Sequence, residues 1–290
     1  MRHTFAMTLA AAGVGTALTI VAGGTSSAAV PSAEAAKLAG PSAHKVDVYV
    51  GKRRITLAEP ELRPGNTVFR VHFTPSRGHA AVQLLGLRHG YTFEEFSDDI
   101  VSEDLGALDR INRRAVFYGG LPVTTDTSAK FALLLDPGTY WLIDFDSTRR
   151  VSFRVEGAHR HGQLPDAAGE VDMVMQHGSH RFSTPTNLPA SGWMSQTNHT
   201  DEPHFMDMFQ VKESTTHRQV RRAFDGVGGL NWVIKENPGS FLVSPGRTML
   251  WHYAYPPGRY LELCFWTSAE DGMTHAEMGM FEFVTLDPVP

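Results

Sequence analysis

The only cysteine of the chain, Cys264, lies near the C-terminal end and is followed by His275 and Met280. A further histidine, His204, lies upstream in the segment EPHFMDMF. One thiolate, two imidazoles and one thioether are soft and borderline ligands, which suit copper better than magnesium or calcium, because those two ions prefer oxygen. The types and order of these four residues therefore indicate a copper site.

The N-terminal residues predict export. Arg2 and His3 form a weakly basic start, residues 5–22 are an apolar run of small residues, and residues 27–29 offer a small-residue cleavage site. We interpret residues 1–29 as a signal peptide, with a membrane anchor as the alternative, and residues 30–45 as a flexible leader. No later stretch is apolar for long enough to cross a bilayer. The mature protein is expected to be secreted or extracytoplasmic, with no transmembrane segment after the signal is removed.

A single cysteine in an exported protein restricts what that residue can do. Cys264 cannot form an intramolecular disulfide, and an exposed thiol outside the cell would be oxidised. It must therefore be buried, paired between chains, or bound to metal. A buried and inert thiol is the plainest alternative, since free cysteine packs as a small hydrophobic residue.

The charge of the chain excludes some partners. It carries 26 basic and 31 acidic side chains, for a formal net charge of -5. No block of basic residues is present, which makes nucleic acid an unsupported partner.

Short apolar runs punctuated by proline and glycine predict an all-β fold. Residues 46–50 and 67–73 alternate in the manner of strands, and residues 131–135 and 139–143 resume the pattern. A helix that begins at a capping box on Thr92 and continues through residue 111 interrupts the strands of the first half. A second helix is expected at residues 215–224.

The second half repeats landmarks of the first half in the same order. The segment DPGTYWLIDF at residues 136–145 matches PPGRYLELCF at residues 256–265. This match predicts two copies of one strand-rich unit, at residues 46–157 and 170–290. The polar stretch between them, residues 158–169, is expected to be a linker.

These residues resemble the cupredoxin family. Gly258 to Cys264 is similar to the strand that leads to the copper cysteine, and the segment HAEMGM from His275 to Met280 is similar to the ligand loop. The resemblance implies a Greek-key β-sandwich in each half, with a short inserted helix. It implies one copper ion in the C-terminal domain, held by His204, Cys264 and His275 with Met280 as a weak axial ligand. The first domain is expected to be metal-free, because Asp144 occupies the position of Cys264.

Several residues depart from the family pattern or offer alternatives. Glu262 shares strand parity with Cys264, and a carboxylate that points into the site would need a partner. His199, Met273 and Met278 could each replace a proposed ligand. Two further histidine pairs, His159 with His161 and His177 with His180, could bind a metal loosely, as short histidine-rich tracts do, but we interpret them as solvated.

The resemblance implies one-electron transfer with a redox partner. Two alternatives stay open: copper acquisition or trafficking between a copper donor and acceptor, and a metal-free extracellular binding or scaffold module. An enzyme is unsupported, because the sequence has no nucleophile motif. Leu263 and Phe265 flank Cys264 where the resemblance to multicopper enzymes would require a histidine.

Overall fold

The computed structural model describes residues 42–289 with the exception of residues 60, 103, 126, 127 and 238. The predicted signal peptide and most of the predicted leader lie outside the described residues. No helix within the described part of the chain is both long and apolar enough to cross a membrane.

The first half of the described chain contains nine strands and two helices. In chain order the strands are β1 (His44–Val50), β2 (Ile55–Leu57), β3 (Glu61–Leu62), β4 (Gly65–Phe73), β5 (His79–Leu87), β6 (Ala115–Thr124), β7 (Ala129–Leu135), β8 (Gly138–Asp144) and β9 (Arg150–Val155). The helices, α1 (Phe93–Ile100) and α2 (Leu105–Arg114), lie between β5 and β6.

The second half of the described chain contains nine further strands and one helix. The strands are β10 (Gly169–Gln176), β11 (Ser179–Ser183), β12 (Asn187–Pro189), β13 (Ser191–Asn198), β14 (Asp207–Val211), β15 (Val233–Asn237), β16 (Thr248–Ala254), β17 (Gly258–Leu263) and β18 (Phe281–Asp287). The helix α3 (His217–Phe224) lies between β14 and β15.

Each half pairs its strands in the same order. The first half contributes β2-β1-β4-β7 to one sheet and forms a second sheet in the order β3-β9-β8-β5-β6. The second half contributes β11-β10-β13-β16 and forms β12-β18-β17-β14-β15. The pairs β1–β4 and β10–β13 are both parallel. The predicted all-β sandwich class is confirmed.

The two halves share one continuous sheet. Strand β16 pairs antiparallel with β7 through Leu250 opposite Ala132 and Trp251 opposite Phe131. Eight strands therefore run across both halves in a single sheet. The smaller sheets, one in each half, cover it.

Aromatic side chains fill the space between the facing sheets. Phe69 of β4 meets Phe153 of β9 with ring centroids 6.3 Å apart. In the second half, Tyr255 lies 6.4 Å from the ring of Trp251 and 5.8 Å from that of Tyr260. Burial of each large apolar side chain stabilises the fold by about 1.5–3 kcal/mol.

Helix α1 begins at the predicted capping box on Thr92, whereas α3 begins at His217, two residues after the predicted start at residue 215. The Thr92 hydroxyl accepts a hydrogen bond from the Glu95 amide at 3.1 Å, and the Glu95 carboxylate accepts one from the Thr92 amide at 2.7 Å. Thr216 and Gln219 form the same capping box at the start of α3. These reciprocal bonds satisfy amide groups that a helix N-terminus otherwise leaves without partners.

The first helical segment is split, whereas the sequence predicted a single helix up to Ile111. Helix α1 ends at Ile100 and α2 starts at Leu105. The side chain of Asp104 accepts a hydrogen bond from the Ala107 amide at 3.2 Å. An aspartate in this N-cap position favours a new start over continuation of the previous helix.

A buried tyrosine occupies equivalent positions in the two halves. The Tyr140 hydroxyl donates to the carbonyl of Asp136 at 2.9 Å, and the Tyr260 hydroxyl donates to the carbonyl of Pro256 at 2.8 Å. Both tyrosines lie in the strand that precedes the aligned Asp144 or Cys264. The sequence alignment of the two segments therefore has a matching hydrogen bond in the structure.

Asp144, at the end of β8, forms a buried ion pair. Its side chain is fully buried, and its Oδ2 lies 2.7 Å from Nη2 of Arg149, which is 11% exposed. Its Oδ1 accepts a hydrogen bond from the Ala81 amide at 2.8 Å, and the Ser147 hydroxyl donates to Oδ2. A charged pair with further hydrogen bonds therefore fills the position that Cys264 fills in the second half.

Replacement of Asp144 by asparagine should destabilise the fold strongly. It leaves the charge of Arg149 buried without its counter-ion, which costs about 3–5 kcal/mol. The matched control is Asp109→Asn, which breaks the exposed pair that Asp109 forms with Arg113 within α2. Urea unfolding should show a large drop in the midpoint for the first variant and almost none for the control. Equal midpoints for the two variants would contradict this assignment.

Candidate metal centre

The four predicted ligands lie at one end of the second sandwich. Cys264 directly follows β17, His204 lies between β13 and β14, and His275 and Met280 lie in the segment between β17 and β18. All four are fully buried. The Sγ atom of Cys264 lies 3.7 Å from Nδ1 of His204 and 3.6 Å from Nδ1 of His275.

These two distances fit atoms that share one metal ion. A metal about 2.3 Å from a thiolate sulfur and about 2.0 Å from an imidazole nitrogen places the two atoms about 3.5–3.8 Å apart, for angles between tetrahedral and trigonal. A thiolate with two imidazoles is also a donor set that suits copper. The arrangement of Cys264, His204 and His275 therefore fits a bound transition metal.

The long segment after Cys264 folds back on the strand it leaves. The Cys264 carbonyl accepts a hydrogen bond from the Ala276 amide at 2.7 Å, and the Trp266 carbonyl accepts one from the His275 amide at 2.9 Å. The Met280 amide donates to the His275 carbonyl at 2.7 Å. These bonds return His275 to the cysteine despite the length of the loop, whose closure entropy rises only slowly with length.

The backbone of His204 is held from the other side. Its amide donates to the Val243 carbonyl at 3.2 Å, and the Val243 amide donates back to the His204 carbonyl at 2.8 Å. Val243 also forms a bridge with Tyr118 of β6. Strand β6 of the first half therefore supports the segment that carries a ligand of the second half.

Three consecutive residues contact the outer nitrogens of three imidazoles. Nε2 of His204 lies 2.8 Å from Oγ1 of Thr200, and Nε2 of His275 lies 2.8 Å from Oε2 of Glu202. Nε2 of His180 lies 3.0 Å from Oδ1 of Asp201. Outer hydrogen bonds of this kind fix the orientation of an imidazole towards a metal.

The partners of Thr200 determine which nitrogen of His204 carries the proton. The single hydroxyl proton of Thr200 is directed to Oδ1 of Asn198 at 2.8 Å or to the Glu202 carbonyl at 3.0 Å. A Thr200 hydroxyl that donates to either of these oxygens accepts the hydrogen bond from His204, which places the proton of that ring on Nε2. Its Nδ1 lone pair then points towards Cys264.

The carboxylate of Glu202 gives the same result for His275. Burial raises the pKa of Glu202, but hydrogen bonds from His275 and from the Ala269 amide outweigh it and hold this pKa below its ordinary value. An ionised carboxylate only accepts, so His275 donates through Nε2. Its Nδ1 lone pair also faces Cys264.

The Glu202 side chain is itself held by the first half. Asn112 of α2 donates to its Oε1 through Nδ2 at 3.3 Å, and the Trp266 indole donates to Oδ1 of Asn112 at 3.3 Å. The Ala269 amide also donates to Oε1 of Glu202, at 3.2 Å. A chain of hydrogen bonds therefore leads from helix α2 to His275.

Burial sets the protonation of the candidate ligands. It lowers the pKa of His204 well below its ordinary value, and the nearby rings of His275 and His180 add to this effect. Burial likewise lowers the pKa of His275, against the opposing effect of Glu202. Burial raises the pKa of the Cys264 thiol to about 12. Neutral imidazoles can bind a metal at once, whereas the thiol must release its proton to do so.

His180 joins the site, although the sequence interpretation placed it among solvated histidines. Its ring is 9% exposed, and its centroid lies 4.6 Å from that of His204 and 4.7 Å from that of His275. Each of the three rings contributes one nitrogen to a group of three in which all nitrogens lie within 4.8 Å of one another. Its predicted companion His177 is exposed in the turn between β10 and β11. A lone histidine at the start of a hairpin strand gave no spacing signal for this placement.

The alternative ligands lie outside the buried group. His199 is 56% exposed and contacts Asp172, with 3.2 Å between Nε2 and Oδ1. Met273 is 44% exposed, and Met278 is half-buried. Met280 is fully buried in the same core cluster as Cys264, and its carbonyl accepts a hydrogen bond from the Cys264 amide at 3.4 Å. Burial therefore favours Met280 over the other two thioethers.

Glu262 has a partner for one of its two buried carboxyl oxygens, whereas its Oε1 has none among the described residues. Its Oε2 accepts a hydrogen bond from the Thr184 hydroxyl at 2.6 Å. Burial raises the pKa of Glu262 to about 8, against the opposing effect of Thr184. This carboxyl group is thus neutral below that pH, which removes the cost of burying a charge.

No protein-family model and no curated protein sequence matches the chain. Among solved structures, the chain is similar to dithionite-reduced auracyanin from Roseiflexus castenholzii, with 16% identity over 42% of this chain and 100% of that one and a TM-score of 0.26. Auracyanin B gives 18% identity over 44% of this chain and 94% of that one, with a TM-score of 0.27.

A longer similarity involves the multicopper oxidase McoA from Aquifex aeolicus. It has 10% identity, covers 84% of this chain and 66% of that one, and gives a TM-score of 0.25.

The deduced proton positions can be tested without any metal. We expect His204 and His275 to carry their proton on Nε2 at neutral pH, which long-range proton–nitrogen correlation spectra of the imidazoles report directly. Thr200→Val removes the acceptor of His204 and should change the tautomer balance of that ring, while the signals of His275 stay in place.

Thr197→Val is the control, since the Thr197 hydroxyl bonds only to Thr248 on an exposed face of the sheet. This control variant should leave the imidazole signals in the spectra unchanged. A proton found on Nδ1 of His204 or His275 in the unaltered protein would show that the lone pairs do not face Cys264.

Proposed function

We propose that the chain binds one copper ion in its C-terminal half through His204, Cys264 and His275, with Met280 as an axial thioether, and that it transfers single electrons. The observation that carries this proposal is the convergence of two imidazole lone pairs on one sulfur, at 3.6 and 3.7 Å. A bound copper would supply a one-electron redox centre. The protein would hold the two imidazoles and the thiolate in nearly the same place in both oxidation states.

Rigidity of the site favours electron transfer over metal delivery. His204, Cys264 and His275 are fully buried, and hydrogen bonds to Thr200 and Glu202 fix both rings. Fixed ligands need little rearrangement when an electron arrives or leaves. Copper acquisition or trafficking remains a second candidate because Met273, in the same loop, is 44% exposed and could pass copper to or from a partner.

The same proposal includes the organisation of the chain. Residues 46–157 and 170–290 are two copies of one sandwich in this proposal, joined by residues 158–169. The equal strand order of the two halves supports it. Residues 1–29 are an export signal in this proposal, on the residue pattern alone. The cupredoxin resemblance of the ligand loop supports a place in that family.

A copper titration of the purified mature protein tests the site. Cu(II) should produce an intense thiolate-to-copper absorption band in the visible range that saturates at one equivalent. Cys264→Ser should abolish the band, because the thiolate is its source. His199→Gln is the matched control, since His199 is exposed and lies apart from the buried ligands.

Two results would count against the proposal. A band of full intensity in Cys264→Ser would remove the cysteine from the site. Absence of any copper binding by the unaltered protein would leave the metal-free scaffold function. A colourless protein that binds Cu(I) would instead support trafficking.

A further inference from the structure

The imidazole of His180 differs from the other two in having no second partner. Its Nε2 faces Oδ1 of Asp201 at 3.0 Å. Asp201 is 78% exposed, and its carboxylate accepts this hydrogen bond from Nε2 of His180. In the neutral form of the ring, Nδ1 then carries a lone pair.

This lone pair is buried and unsatisfied. Nδ1 of His180 has no hydrogen-bond partner among the described residues. The side chain is 9% exposed, so solvent does not reach this nitrogen freely. It is one of nine buried side-chain nitrogen and oxygen atoms of the described residues that lack a partner, and the only one of them on an imidazole. A buried polar atom without a partner is costly, and a bound ion is one of its ordinary explanations.

The position of His180 allows it to share an ion with the other two rings. The ligand nitrogens of His180, His204 and His275 lie within 4.8 Å of one another. Nitrogens bound to one metal at about 2.0–2.1 Å lie about 3.4 Å apart in tetrahedral geometry, so the three rings would have to draw together by up to about 1.4 Å to share an ion. The ring of His180 belongs to the hairpin strand β11.

Met280 has no comparable need for a metal. A thioether is only a weak acceptor, and buried methionine commonly fills gaps in a core. Its complete burial in the cluster with Cys264 is explained by packing alone. The orphaned nitrogen of His180 is not explained in that way.

We propose that His180 is a metal ligand through Nδ1, so that the ion is held by three imidazoles and the thiolate of Cys264, with no thioether required. The inference rests on the proposed function for the place of the ion and changes its fourth ligand. A closed set of three nitrogens and one sulfur is also a set that zinc accepts in tetrahedral geometry. The site should therefore favour the divalent state of copper and bind Zn(II) in competition with it.

Pulsed electron paramagnetic resonance of the Cu(II)-loaded full chain tests this ligand, because the remote nitrogens of bound imidazoles can be counted. We expect three bound imidazoles in the unaltered protein and in Met280→Leu, and two in His180→Gln. His180→Gln should also weaken Zn(II) binding about tenfold or more. His199→Gln serves as the histidine control and should keep all three.

A second variant covers the case in which His180→Gln fails to fold. Asp201 is 78% exposed, so Asp201→Ala should keep the fold while it frees the His180 ring. Loss of such an outer partner is expected to weaken metal binding about 10- to 100-fold.

Two bound imidazoles in the unaltered protein would overturn the inference and indicate that a water satisfies Nδ1. A changed imidazole count in Met280→Leu would also overturn it and restore the thioether. Either result would leave the thiolate-to-copper band in place, whereas failure of the proposed function removes that band altogether.

Discussion

The candidate site depends on one short segment, residues 200–202, whose three side chains hold the outer nitrogens of three buried imidazoles. In each neutral ring, an outer partner that accepts the proton of Nε2 leaves a lone pair on Nδ1. Two of the lone pairs meet at the sulfur of Cys264, at 3.6 and 3.7 Å. Without the outer contacts the rings could rotate, and the lone pairs would lose their common target. Orientation by outer partners thus decides whether a group of histidines is a site or only a buried cluster.

That segment is fixed by parts of the chain far from it in sequence. Asn198 donates to the carbonyls of Glu202 and Val243, both at 2.8 Å. Val243 bridges to β6, and Asn112 of α2 reaches the Glu202 carboxylate at 3.3 Å. The first half therefore supports the site of the second half. In the first half, the position equivalent to that of Cys264 is occupied by Asp144, which forms a buried ion pair with Arg149.

Local patterns in the sequence predicted the fold class and part of the candidate site. Alternating apolar residues predicted the strands, and the capping box on Thr92 marked one helix start because its partner Glu95 lies only three positions away. Three of the residues brought together, His204, Cys264 and His275, followed from donor chemistry and order along the chain. His180 did not, because its role depends on a hairpin that folds over the site. The sequence pattern also did not predict the break in the helix before Asp104, because the apolar spacing continues across it.

The central claim is that one metal ion is bound by sulfur and imidazole nitrogen at the end of the second sandwich. X-ray absorption at the copper edge of the loaded protein measures this shell directly. The account predicts one sulfur at short distance, from Cys264, together with a shell of imidazole nitrogens that shows the outer scattering of the rings. A shell of oxygen or nitrogen without any sulfur would contradict it, because the buried thiol would then have no part in binding.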